Sequence, residues 1–127
     1  MPQFDKHFTV QEARGWLPKL RESFRRIREL YAELQDLRKD YEKVESIIRS
    51  NGHSPKDTGF EGRLGELQAL ILEINEAGIE VKDVERGLVD FPHMLDGEEV
   101  FLCWELEEPD IRYWHRIEDG YAGRELL

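Results

Sequence analysis

The chain has 127 residues, 36% of them charged, with a net charge of −10. That length predicts a single domain, 1–127, with a thin core, and the acidic balance argues against nonspecific nucleic-acid binding, which rests on Lys and Arg neutralising phosphates. The single cysteine, Cys103, excludes an internal disulfide and fits a reducing, cytoplasmic compartment.

Taken in order, Met1–Phe8 reads as a loosely ordered lead-in, too short and polar for a signal peptide. Thr9-Val10-Gln11-Glu12 has the form of a capping box, in which hydroxyl and carboxylate each satisfy an amide of the first helical turn. One long amphipathic helix follows to Ser50. Its apolar residues are Leu17, Leu20, Phe24, Ile27, Leu30, Leu34, Leu37, Tyr41, Val44 and Ile48. They form a coiled-coil-like heptad seam with one slip after Ile27, bridged by Tyr31. Pro18 removes a helical hydrogen bond, so a kink or break is expected near Trp16, itself a core anchor. Lys19, Arg21, Arg25, Arg26 and Arg28 form a basic cluster interleaved with Glu22 and Glu29, which reads as a solvated face rather than a phosphate site. At about 1.5 Å per residue the helix spans roughly 60 Å, more than a small core covers.

Asn51–Gly59 is turn-rich and holds His53. A second helix, about Glu61–Ala77, carries Leu64, Leu67, Ile71 and Ile74 and stops at Gly78. It is expected to pair antiparallel with the C-terminal half of the first helix. The N-terminal half of the seam is then left for the β region or for a second subunit. These elements make 1–78 a helical hairpin.

From Ile79 the period changes to that of strands. Leu88–Met94 is extended, Asp96-Gly97 signals a two-residue hairpin, and Glu99–Leu106 and Ile111–Ile117 are strands joined by Glu107–Asp110. The fold class is therefore α+β, with a three- or four-stranded antiparallel meander and tail over 79–127. A tight Glu107–Asp110 loop would pair Trp104 with Tyr113 and Leu102 with His115. One face then holds Phe91, His93, Leu102, Trp104, Tyr113 and His115 and packs on the helices. The other holds Asp90, Phe101, Cys103, Glu105, Arg112, Trp114 and Arg116. In that register Cys103 points away from both histidines, which argues against a His-Cys-His zinc site, so no metal ligands are assigned.

Several runs resemble a known family. They are Val81-Lys82-Asp83, Arg86-Gly87-Leu88-Val89-Asp90-Phe91-Pro92, Cys103-Trp104, Pro109, Ile111-Arg112-Tyr113-Trp114-His115 and Gly120-Tyr121-Ala122-Gly123-Arg124. With Phe8-Thr9 they are similar to the small prokaryotic proteins grouped as domain of unknown function 2203, over nearly the whole chain. That resemblance implies no activity and no catalytic residues.

Neither a Ser-His-Asp constellation nor a placed pair of carboxylates emerges, so no reaction, catalytic residue or cofactor is assigned. The candidate ligand-binding residues are Asp90, His93, Glu105, Arg112, Trp114, His115 and Arg124. Glu105 and Arg112 are expected to pair across strands, and an aromatic face flanked by arginines serves either a planar or anionic ligand or an interface. Gly120–Arg124 reads as a docking tail. The leading expectation is a non-enzymatic assembly or adaptor module, a homodimer through the helical seam that can also engage a protein partner. The alternative is a ligand- or metal-binding protein or enzyme with its site in the β region.

Overall fold

Thr9 opens the first helix as its pattern requires. Its hydroxyl accepts from the Glu12 amide and the Glu12 carboxylate accepts from the Thr9 amide, both at 3.0 Å. The Thr9 amide is the main reason the Glu12 carboxyl sits below the usual carboxylate range. In this computed structural model, residues 2–51 and 59–127 are described, with side chains for 2–39 and 59–127. Helix α1 runs Val10–Asn51 with Pro18 inside it. The expected break near Trp16 does not occur. Pro18 forfeits one hydrogen bond, while Ala13, Leu17 and Leu20 around it are fully packed, and that packing holds the helix together.

Helix α2, Phe60–Glu76, ends in two backbone bonds, Gly78 N–H to Asn75 O at 3.0 Å and Ile79 N–H to Ile74 O at 3.3 Å. These are the paired bonds of a Schellman stop. α2 lies antiparallel to α1, and among the described residues its contacts run from Lys19 to Leu34 rather than along the C-terminal half alone. Lys19 meets Glu73 at 2.8 Å, Arg26 meets Glu66 at 2.6 Å and Arg63 meets Glu33 at 2.9 Å. Exposed pairs of this kind contribute little, because water screens them. What places α2 is burial, since Leu67 and Ile74 join one core with Leu17, Leu20, Phe24, Ile27, Leu30 and Leu34. The N-terminal half of the seam is thus covered within the chain, by α2 and the sheet. Tyr41, Val44, Ile48, His53 and most of the Asn51–Gly59 turn lie outside the described residues and side chains.

The basic cluster is largely engaged inside the molecule. Besides the Lys19 and Arg26 pairs, Arg21 donates to the Pro109 carbonyl at 2.9 Å and Arg28 reaches Glu107 at 3.5 Å. With Arg14 on Asp110 at 2.9 Å, one face of α1 grips the loop before the fourth strand.

The β region is a five-stranded antiparallel sheet in sequential order: β1 Glu80–Asp83, β2 Leu88–Leu95, β3 Glu98–Trp104, β4 Tyr113–Arg116 and β5 Glu125–Leu126. The strand beyond the expected three or four comes from the tail, which turns at Tyr121–Gly123 and pairs with β4. Asp96 (φ 50°) and Gly97 (φ 82°) make the expected two-residue hairpin, joining Leu95 to Glu98. Between β1 and β2, Gly87 has φ 64°, and an added Cβ would lie 2.8 Å from Leu106 Cβ. Only glycine lets this turn close on Leu106.

Between β2 and β3 the register is the expected one, with Phe91 opposite Leu102 and His93 opposite Val100. Between β3 and β4 it differs by one residue: Leu102 faces Trp114, Phe101 faces His115 and Cys103 faces Tyr113. The connection is longer than Glu107–Asp110, because side chains bind it internally. Glu105 N–H donates to Glu108 Oε1 at 2.8 Å, Trp104 Nε1–H to the Glu108 carbonyl at 2.9 Å and Ile111 N–H to Asp110 Oδ1 at 2.7 Å. A one-residue change exchanges the faces of a strand. Trp114 therefore packs against the helix-side core with Val89, Phe91, Leu102 and Trp104, while Tyr113 and His115 pass to the outer face beside Cys103.

Both termini cover that outer face. The Gln3 and Phe4 amides donate to the Glu99 carboxylate at 2.6 and 3.0 Å, and His7 Nε2 reaches it at 2.7 Å. The Phe4 ring lies 5.3 Å from that of Phe101. The lead-in is an ordered strap rather than a loose one, because Phe101 and Cys103 give the outer face apolar surface to bury.

Candidate metal centre on the outer sheet face

The register places Asp90 directly opposite Cys103 on neighbouring strands and His115 one strand further. Their exposures are only 3%, 1% and 3%, in the order Asp90, Cys103, His115. One ligand atom from each lies within 4.8 Å of the other two, and among the described residues this is the group of three or more such side chains that could hold a metal ion. Local pairing builds this site: the hydrogen-bonded ladders fix Cα positions, and strand parity sends all three side chains the same way.

The hydrogen bonds of His115 define its chemistry. Nδ1 lies 2.8 Å from the Arg116 carbonyl oxygen, an atom that only accepts, so Nδ1 carries the hydrogen. Nε2 faces both Asp90 oxygens at 3.1 Å. A lone pair there would oppose a carboxylate, so the position calls for a proton or a metal ion between the groups. Burial pushes the imidazolium toward losing its proton, but the bonds to Asp90 and the Arg116 carbonyl outweigh it, and the His115 pKa lies above its ordinary value. Burial, with the nearby Asp90 charge, pushes the Cys103 thiol well up.

This arrangement is unsuited to nucleophilic catalysis. A Cys-His-Asp triad needs one ring nitrogen on the sulfur and the other on the carboxylate. Here the two nitrogens are taken by Arg116 and Asp90, and a thiol with a raised pKa is the wrong way for a nucleophile. As a metal centre the same features are favourable. A backbone carbonyl fixes Nδ1–H and aims Nε2 inward, as an outer-shell partner does for metal-bound histidines. Sulfur, imidazole and carboxylate together suit zinc and similar divalent ions. A cavity of about 160 Å³ adjoins the cluster, with Lys82, Phe101, Asp119 and Tyr121 among its other walls.

Of the residues singled out in the sequence, Asp90 and His115 meet here and the others do not. His93 Nδ1 lies 2.6 Å from the Phe8 carbonyl and anchors the N-terminal strap. Trp114 belongs to the helix side. Glu105 does not pair with Arg112. It binds Arg86 at 2.9 Å instead and lies 4.0 Å from Arg124, while Arg112 is exposed and its carbonyl accepts from Leu127 N–H at 2.9 Å. Arg124 docks the tail, with Nη2 on both Glu108 oxygens at 2.6 and 2.7 Å and its guanidinium 4.0 Å from the Tyr113 ring centre and 4.5 Å from that of Tyr121. The residue missed is Cys103. Its place opposite Asp90 follows from the Asp96-Gly97 hairpin, so that half of the site could have been found.

Fold and site together define a class of α+β protein: a two-helix layer on one sheet face and a buried Asp–Cys–His cluster on the other. The chain belongs to the family described as "Uncharacterized conserved protein (DUF2203)", matched over residues 6–127, as the sequence resemblance implied. No curated protein and no solved structure matches it.

Proposed function

We propose that the protein binds a divalent transition metal, zinc or a close relative, through Asp90, Cys103 and His115, in the cytoplasm. The observation that carries this is the convergence of three buried, chemically different ligand atoms within 4.8 Å, with His115 Nε2 already turned inward. The buried free thiol of Cys103 supports the reducing compartment. No helix among the described residues is long and apolar enough to cross a membrane.

Cobalt(II) reports the site directly, because a thiolate ligand gives it a near-ultraviolet charge-transfer band. Chelator-treated protein titrated with cobalt is expected to show that band, saturating at one equivalent. Cys103→Ser should remove the band, and His115→Ala should weaken binding at least about tenfold. Absence of saturable binding, or a band that survives Cys103→Ser, defeats the proposal.

A second reading, assembly into a coiled-coil-like homodimer, is supported by the length of α1. The helix continues from the Arg63–Glu33 pair to Asn51, and in sequence the repeat runs on through Leu37, Tyr41, Val44 and Ile48. Residues 35–51 carry four basic and four acidic side chains, so a second copy meets no net repulsion. Leu37→Lys is expected to convert a dimer to a monomer in light scattering without loss of helical signal. A wild-type monomer at micromolar concentration contradicts this reading. Leu30 and Leu34 are unsuitable for the test, since both are buried within the chain.

A further inference from the structure

We infer that the N-terminal strap is a gate on the outer sheet face, latched by Glu99 and seated on Phe101, and that species from solution reach Cys103 and His115 when it lifts. This goes beyond the metal reading and stands on contacts that need no metal.

The gate begins with strand parity. Glu99, Phe101 and Cys103 alternate along β3, so their side chains stand in one row on the outer face. The strap crosses the first two. The Gln3 and Phe4 amides and His7 Nε2 all meet the Glu99 carboxylate, at 2.6, 3.0 and 2.7 Å. Among the described residues, these are the hydrogen bonds that tie residues 2–7 to the rest of the chain. Phe8, next along, is fixed on its own. Its N–H donates to the Pro92 carbonyl at 2.7 Å and its carbonyl accepts from His93 Nδ1 at 2.6 Å. Its ring is 1% exposed and meets Phe91 edge-on at 5.4 Å. Phe8 is therefore the hinge and Glu99 the latch.

Between hinge and latch the strap packs thinly. Pro2, Gln3, Asp5 and Lys6 are exposed, and a cleft of about 300 Å³ separates Phe4, Asp5 and Lys6 from the turn at Ala77 and Gly78. Few buried contacts and solvent-exposed bonds mark a segment that opens locally, without global unfolding.

What the strap covers is a wall of the site. Phe101 is 3% exposed and lines the cavity beside the Asp90, Cys103 and His115 cluster. It faces His115 across the β3–β4 ladder, with ring centres 5.5 Å apart. Phe4 lies 5.3 Å from the same ring, and Lys82 Nζ 4.9 Å from it. A row of rings thus runs from the strap to His115. Lifting residues 2–7 takes Phe4 off Phe101, and a ring that loses its packed neighbour is free to change rotamer and uncover Cys103 two residues along.

Cys103 is the chain's single cysteine, so its rate of modification by an aromatic disulfide reagent reads the opening in chelator-treated, full-length protein. Glu99→Ala should raise that rate at least about tenfold, the equivalent of one hydrogen bond to a charged group. Phe4→Ala, which keeps the latch and removes only the ring, should raise it by a smaller factor. Both rates should stay nearly constant in urea below the unfolding transition, because local opening exposes little surface. A rate unchanged by Glu99→Ala overturns the gate. So does an acceleration that climbs with urea as steeply as global unfolding, since the thiol is then reached only through the unfolded chain.

Discussion

Asp90→Ala in metal-free protein is expected to lower stability by about 3–5 kcal/mol, the cost of leaving one partner of a buried charged pair alone. The pair is buried on both sides, with side-chain exposures of 4% for His115 and 4% for Asp90. Without the carboxylate, His115 Nε2 loses the two oxygens it faces at 3.1 Å inside a buried site, and must either shed its proton or keep a charge with no counterpart. At about 3–5 °C per kcal/mol for a chain of this size, the melting temperature should fall by roughly 10–20 °C in a thermal scan with chelator present. His115→Ala should cost a similar amount, for the complementary reason that it leaves the buried Asp90 carboxyl without the imidazole it faces. Replacing both together, Asp90→Val with His115→Leu, removes both charges, and buried ion pairs exchanged for apolar groups of similar volume are often neutral. The double variant should therefore be more stable than either single one. If it is as unstable as the sum of the two, the residues act independently and the pair is not the unit that the 3.1 Å contacts suggest.

What could be foreseen from the sequence depended on how local the signal was. The Thr9–Glu12 capping box, the Gly78 stop and the Asp96-Gly97 hairpin each rest on bonds spanning a few residues, and each forms as expected. The seam was equally legible, because a 3–4 spacing survives any choice of partner. Its partner was not. Nothing in the spacing of Leu17 to Leu34 distinguishes a second subunit from the chain's own sheet, and burial decided for the sheet. The site was half legible for a sharper reason. Asp90 and Cys103 share a face through a two-residue turn that leaves no freedom in register. His115 depended on how many residues the next connection consumes, and Pro109 with its acidic neighbours read as a four-residue turn. The actual connection is stabilised by the Glu105–Glu108 and Trp104–Glu108 bonds, which involve side chains and leave no turn signature. One residue of difference in parity moved His115 from the helix side to Cys103, turning an apparent argument against a metal into the geometry for one. Fold class depends on period and tolerated the error. A site depends on parity and did not.

The same connection predicts the second large effect. Trp104→Ala should destabilise by about 3–5 kcal/mol, as expected for truncating a fully buried aromatic. Trp104 is 0% exposed, at the end of β3, and the Arg21 guanidinium lies 5.8 Å from its ring centre. Its Nε1–H also holds the Glu108 carbonyl at 2.9 Å, and the Glu108 carboxylate in turn holds Arg124 and the tail. Packing and anchoring can be separated with Trp104→Phe, which keeps an aromatic ring in the core but gives up the hydrogen bond. That variant should cost about 1–2 kcal/mol, the usual range for one lost buried hydrogen bond, together with the smaller ring's packing loss. It should act disproportionately on the tail: hydrogen exchange at the Leu127 amide, bonded to the Arg112 carbonyl at 2.9 Å, should speed up more than exchange in the β2–β3 ladder. Equal acceleration in both places would mean that Trp104 acts only through the core. A selective effect at the tail would tie the lip of the cavity beside Asp90, Cys103 and His115 to a core residue on the opposite sheet face, through Glu108 and Arg124.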